Sequence, residues 1–244
     1  MEEELRAFEG NAERYSAGNA RPLPESPLKG KTFYFLGSSV TLGSASGEES
    51  FADFIAARNG CACIKNAVSG TTLADTGETS YVRRLLSDAR PVRPDVFVCQ
   101  LSTNDAASAP LGDVSPSFDG RDFLKGTTIG AAEYIIYEAR RRYACPVAFY
   151  SSPYFENERY AAAVSLMRKV AEKWKIRLID LYSDGAFNAV SPEKRALYMH
   201  DEIHPLRAGY LEWWTPRFEA ELAALCGFSG VCGFSGVCGF SGGH

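Results

Sequence analysis

Apolar residues along this chain gather into short dense runs, each followed by a polar or glycine-bearing break and then by a stretch with helical spacing. Phe33-Tyr34-Phe35-Leu36 is the first such run. Successive strand side chains point to opposite sides of a sheet, so a run apolar at every position belongs to a strand covered on both faces. Thr32 to Leu36, Cys61 to Ala67, Asp95 to Leu101, Val147 to Tyr150 and Ile176 to Leu181 read as five strands. Helical spacing falls between them, at about 50 to 57, 80 to 89, 128 to 143 and 158 to 175, and a last helix runs from near Pro205 to about Leu225. Asn59-Gly60 ends the first of these, a frequent helix stop. Such alternation calls for a parallel sheet with helices on both faces. Right-handed crossovers leave few topologies, of which a flavodoxin-like strand order is expected.

The flanks differ from this body. Residues 1 to 30 are polar and close on Pro22, Pro24 and Pro27, which reads as an arm with one helical turn. Residues 31 to 225 form the α/β domain. From 226 to 244 the chain repeats Cys-Gly-Phe-Ser-Gly-Val, too short a period to serve a core, and this reads as a low-complexity tail. Its Gly-Phe-Ser-Gly-Val lacks the second glycine of a G-x-S-x-G elbow, so no nucleophile is placed there. Residues 106 to 124 form a loop rich in Ala, Ser, Pro, Gly and Asp, of a length that is usually functional or mobile in a compact domain.

Composition narrows the function. At 244 residues with 45% hydrophobic content, the chain suits one large domain with a sizeable core. A net charge of −4 argues against nucleic acid as a partner. No apolar run is long enough to span a membrane, and the acidic Met1-Glu2-Glu3-Glu4 start has no apolar core segment, so no signal peptide is read and the cytoplasm is the expected compartment. Cys61, Cys63, Cys99 and Cys145 read as buried reduced thiols acting as small hydrophobes. There is no C-x-x-C pair, and only His200, His204 and His244 are at hand to assist, so no metal site is expected. Gly37, Gly43 and Gly47 lack the spacing of either nucleotide-binding glycine motif.

Ligands of open parallel sheets bind beyond the carboxyl ends of the strands. The first strand delivers Gly37-Ser38-Ser39 there, the second Gly70, and the third Ser102-Thr103-Asn104-Asp105; Asp201-Glu202-Ile203-His204 follows the fifth. Acyl transfer needs a nucleophile, a base, an acid to orient the base, and donors for the oxyanion. Ser39 suits the first role, His204 the second and Asp201 the third, being one turn away from the ring. Backbone N–H groups of Ser39 and Gly70 with the Asn104 amide suit the oxyanion hole, and glycine at position 70 lets its N–H approach substrate closely. The bland alternatives are a capping role for Ser39 and a turn role for Asn104. His200 is the rival base, although a carboxylate on the adjacent residue usually points away from the ring. Asp105 reads as structural, tying loops together, and Tyr210, Trp213 and Trp214 read as core and interface.

These four stretches, in this order and at strand ends, resemble the marker blocks of the SGNH (GDSL-type) hydrolase family, over about residues 31 to 224. The resemblance implies a flavodoxin-like, three-layer α/β/α sandwich on a five-stranded parallel sheet. It implies an ester hydrolase that uses no metal or cofactor, with Ser39, Asp201 and His204 as triad and Ser39, Gly70 and Asn104 at the oxyanion. Two positions depart from the family: Ser38 stands where it usually has Asp, and Ser102 where it usually has Gly. The leading expectation is a serine esterase acting on small O-acyl esters, with carbohydrate deacetylation as the specific case. A lysophospholipase or thioesterase is the second reading, and an inactive binding module on the same fold the third.

Overall fold

The structure is a computed structural model that describes residues 2–227, so the repeat read at 226 to 244 lies outside the described residues from Phe228 onward. Five parallel strands, β1 (Thr32–Gly37), β2 (Ala62–Ala67), β3 (Val96–Gln100), β4 (Val147–Tyr150) and β5 (Arg177–Ile179), stand in the order β2-β1-β3-β4-β5. That is the flavodoxin-like order. Gly37 is level with Ala67, Leu36 with Cys99, and Gln100 with Tyr150, so the carboxyl ends of β1 to β4 lie along one edge of the sheet.

Alternation along each strand makes two cores. Tyr34, Leu36, Phe97, Cys99 and Phe149 face the helices Tyr81–Ser87, Thr128–Tyr143 and Glu158–Trp174. Phe33, Phe35, Val96, Val98, Ala148 and Tyr150 face the helices Phe51–Asn59 and Thr215–Leu225. Every one of these strand residues is fully buried, which makes a three-layer sandwich. Helix starts follow the capping residues in the sequence. Ser50 and Asp53 form a reciprocal capping box, while Ser80, Thr127 and Asn157 each accept an N–H from the first turn of the helix that follows.

Some elements differ from their expected bounds. β5 is shorter than Ile176 to Leu181, because its one neighbour, β4, is itself short and runs out of partners at Tyr150. The last helix begins at Arg207, two residues past Pro205, but passes through a wider π turn at Tyr210–Trp214 before Thr215–Leu225. Pro216 lacks an N–H and its ring crowds the carbonyl four residues back in a regular helix, so the wider turn falls where that strain would arise. Two short helices, Gly185–Asn188 and Pro192–Tyr198, follow β5 where none was expected, each started by a capping side chain, Asp184 and Ser191. Among the described residues the cysteines are free thiols and only Cys99 is buried; Cys61, Cys63 and Cys145 are half-buried, because β2 is a sheet edge and Cys145 precedes its strand.

The arm holds the helix Glu2–Arg6 and three 3-10 turns, and buried Asn11 fastens it: its amide donates to the Ala45 carbonyl at 2.8 Å and accepts the Arg207 N–H at 3.1 Å. The 106–124 segment is strapped to two helices. Glu133, fully buried, pairs with Lys173 and accepts the Ser115 N–H at 2.8 Å, and Lys173 reaches the Ser115 carbonyl at 2.7 Å. Among the described residues, no helix is long and apolar enough to cross a membrane.

Candidate active site

The loop that carries Ser39 is shaped by what lies beneath it. Gly37 ends β1, and a Cβ there would run into the Thr41 hydroxyl and the Gln100 side chain, so the chain can turn here only on glycine. Gln100, fully buried at the end of β3, accepts the Ser38 N–H at 2.9 Å and the Thr41 hydroxyl at 2.9 Å. Ser39 then opens the short helix Ser39–Leu42, and its own N–H, at the first helical position, has no intrahelical acceptor. Ser38 points away from this helix end into the interior, with its hydroxyl 3.4 Å from Gln100 Oε1.

His204 and Asp201 come from a different kind of loop. Met199 and Pro205 form an antiparallel bridge, and the His200 N–H bonds the His204 carbonyl at 2.9 Å, closing a tight turn. Inside it Asp201 Oδ1 accepts the N–H groups of Ile203 and His204, both at 2.8 Å. Asp201 Oδ2 lies 2.8 Å from His204 Nδ1, and His204 Nε2 lies 2.9 Å from Ser39 Oγ. Burial raises the Asp201 pKa, but the two N–H bonds and the His204 ring outweigh it and bring it down to about 2. An ionised carboxylate only accepts, so the neutral ring carries its proton on Nδ1 and offers the Nε2 lone pair to the Ser39 hydroxyl. His200 Nδ1 also lies 3.2 Å from Asp201 Oδ2, with its ring edge-on to Phe8 at 5.1 Å. The two histidines therefore share one carboxylate, and His204 is the one that reaches Ser39.

Gly70 and Asn104 meet through Thr71. Asn104 Nδ2 donates one proton to the Thr71 carbonyl at 2.9 Å, which leaves its second proton free for another acceptor. Gly70 sits at φ +76, a left-handed turn that favours glycine, and no atom of the described residues fills the space beside it. Asp105 ties the loops as expected, accepting the Leu73 N–H at 2.7 Å and the Ala74 N–H at 2.9 Å. Burial raises its pKa against the pull of these bonds. Ser102, in place of the usual glycine, accepts the Asn104 N–H at 3.2 Å. Sequence reasoning missed Gln100, although a polar residue ending the run Val-Phe-Val-Cys-Gln signals a buried group in need of partners.

A serine, a histidine and a carboxylate are thus joined at the carboxyl edge of an α/β/α sandwich. The sequence matches the GDSL-like lipase/acylhydrolase family over residues 35–211, and the chain belongs to that family. Among curated proteins, none matches it. Several solved structures share the fold. A protein from Lactobacillus plantarum is 20% identical with a TM-score of 0.64, over 80% of this chain and 98% of its own. A protein assigned as a GDSL-like lipase from Bacteroides ovatus is 17% identical with a TM-score of 0.61, over 80% and 99%. A family two carbohydrate esterase from Clostridium thermocellum, solved with cellohexaose, is 19% identical with a TM-score of 0.58, over 85% of this chain and 66% of its own.

Proposed function

We propose that this protein is a serine esterase that hydrolyses small O-acyl esters, with acetylated carbohydrate as the substrate class. The observation that carries the reading is the unbroken line from Asp201 through His204 to Ser39 Oγ, with contacts of 2.8 and 2.9 Å. In this mechanism Ser39 Oγ attacks the acyl carbonyl as His204 Nε2 takes its proton, and Asp201 holds the ring in the right tautomer and steadies its positive charge. The N–H groups of Ser39 and Gly70 and the spare proton of the Asn104 amide receive the oxyanion. His204 then protonates the leaving alcohol, and water, deprotonated by the same ring, releases the acid from Ser39. None of these steps calls on a metal or cofactor. The carbohydrate reading draws on the fold shared with the carbohydrate esterase. The free thiols suit a reducing compartment such as the cytoplasm.

A fluorophosphonate probe should label Ser39, and p-nitrophenyl acetate should turn over faster than the octanoate. Preference for the long chain would support the lysophospholipase or thioesterase reading. An unlabelled, inert protein would mean a binding module.

A further inference from the structure

Nothing in the sequence marks Arg84. Beside exposed Arg83, which pairs with Asp75, it looks like one more solvated charge on the helix Tyr81–Ser87. Its guanidinium instead turns inward over the Tyr81 ring, 5.0 Å from the centroid, and burial pulls its pKa down. Every acceptor it finds is neutral. Nη2 donates to the Gly37 carbonyl at 2.7 Å and the Thr71 hydroxyl at 3.3 Å, Nη1 to the Asn66 carbonyl and, at 2.8 Å, to the Asn66 side chain, and Nε to the Thr79 carbonyl at 2.9 Å. Among the described residues no carboxylate forms an ion pair with it; Asp88, bonded to the same Asn66 side chain, is held by Arg90 and Tyr34.

Gly37 is two residues before Ser39, Thr71 follows Gly70, and the Thr71 carbonyl holds the Asn104 amide. One side chain thus touches both loops that carry the proposed oxyanion donors and, through Thr71, the third donor. We infer that Arg84 is the positioning residue of the oxyanion hole: its rigid fork fixes the Ser39, Gly70 and Asn104 donors relative to one another, and its uncompensated positive charge favours the anionic intermediate. This rests on the serine-esterase reading above. A planar fork with five donors can span these acceptors, whereas a lysine ammonium cannot reach them together.

The test compares wild type with Arg84→Lys, Arg84→Gln and Arg84→Ala on p-nitrophenyl acetate, with folding followed by circular dichroism. Wherever a variant folds, kcat should fall about 10- to 100-fold, less than the loss of a donor itself, with KM within about twofold. Lysine should not restore the rate, and millimolar guanidinium should partly rescue Arg84→Ala. Binding of phenylboronic acid, which forms an anionic tetrahedral adduct on a reactive serine, should weaken by the same factor as kcat, while the fluorophosphonate still labels Ser39. A folded variant with kcat within about threefold of wild type overturns the proposal. So does a kcat loss with unchanged boronate affinity, since that is a packing defect. A wild type that neither labels nor hydrolyses overturns the esterase reading itself, whereas an active wild type with indifferent Arg84 variants overturns this inference alone.

Discussion

The two loops that meet at the Ser39–His204 contact are built in opposite ways. The nucleophile loop is held from below by the rest of the molecule: Gly37 fits only against Thr41 and Gln100, and the Tyr210 hydroxyl, from the last helix, bonds the Val40 carbonyl at 2.7 Å. Ser39 itself is 4% exposed. The acid–base loop is held by its own backbone, through the Met199–Pro205 bridge and the N–H groups that Asp201 collects, and the Asp201 side chain is 44% exposed. Ser39, the proposed nucleophile, is thus placed by the core, and His204, the proposed base, by a local turn that solvent reaches. Damage to the first should cost stability and rate together; damage to the second should cost mainly rate.

Removing either partner of the junction has the largest effect. Ser39→Ala or His204→Ala should lower kcat/KM by 10³-fold or more, on the order seen for triad losses elsewhere. Retention of more than about a tenth of the activity in Ser39→Ala would show that the loop register is wrong. Asp201→Asn should cost about 10²- to 10⁴-fold by favouring the wrong tautomer. Its thermal midpoint should fall by only a few degrees, since the turn keeps its bridge and loses only the charge on its acceptor.

The pH profile sharpens the same point. With Asp201 depressed to about 2, its carboxylate contributes stability that is complete above the unfolded value and is lost only as pH falls through about 2. A loss of kcat/KM on mild acidification should therefore come while Asp201 is still ionised and its turn still closed. Full activity at pH 4.5 would remove histidine as the base.

Gln100→Leu tests the other loop. It strands the buried Ser38 N–H, for about 1–3 kcal/mol of stability, and should slow turnover by about tenfold as Ser39 drifts. A slower enzyme with unchanged stability would contradict a core-held nucleophile. The smallest effect belongs to His200→Ala, expected to change kcat/KM by less than about threefold, since Asp201 keeps its bonds to Ile203 and His204.

How much of this was legible beforehand follows the same division. Dense apolar runs declared the strands, because two-faced burial leaves a one-dimensional trace, and the cap residues Ser50 and Ser80 marked helix starts to within a residue. The Asp201-to-His204 spacing is local, so its geometry could be anticipated from sequence. β5 reads longer in sequence than it is, because strand length depends on the neighbour, here the short β4, which the sequence of β5 does not contain. The helices at 185 to 198 leave only their caps, Asp184 and Ser191-Pro192, as a trace in the sequence, because they carry little periodic apolar content. Arg84 was illegible for a stronger reason. Arg83 and Arg84 are identical in type, and only the sheet edge beneath them decides which goes inward.

The 165 positions that separate Ser39 from His204 bear on how the protein acquires its activity. The carboxylate–imidazole pair is three residues apart, so closing that turn costs little chain entropy and can occur early. Bringing the serine to it requires β1, β3 and the last helix to be docked already, since Gln100 and Tyr210 both hold the serine's helix. On refolding from denaturant, recovery of esterase activity should then lag behind helical signal and coincide with burial of Trp214, the fully enclosed side chain that packs 5.8 Å from Phe51.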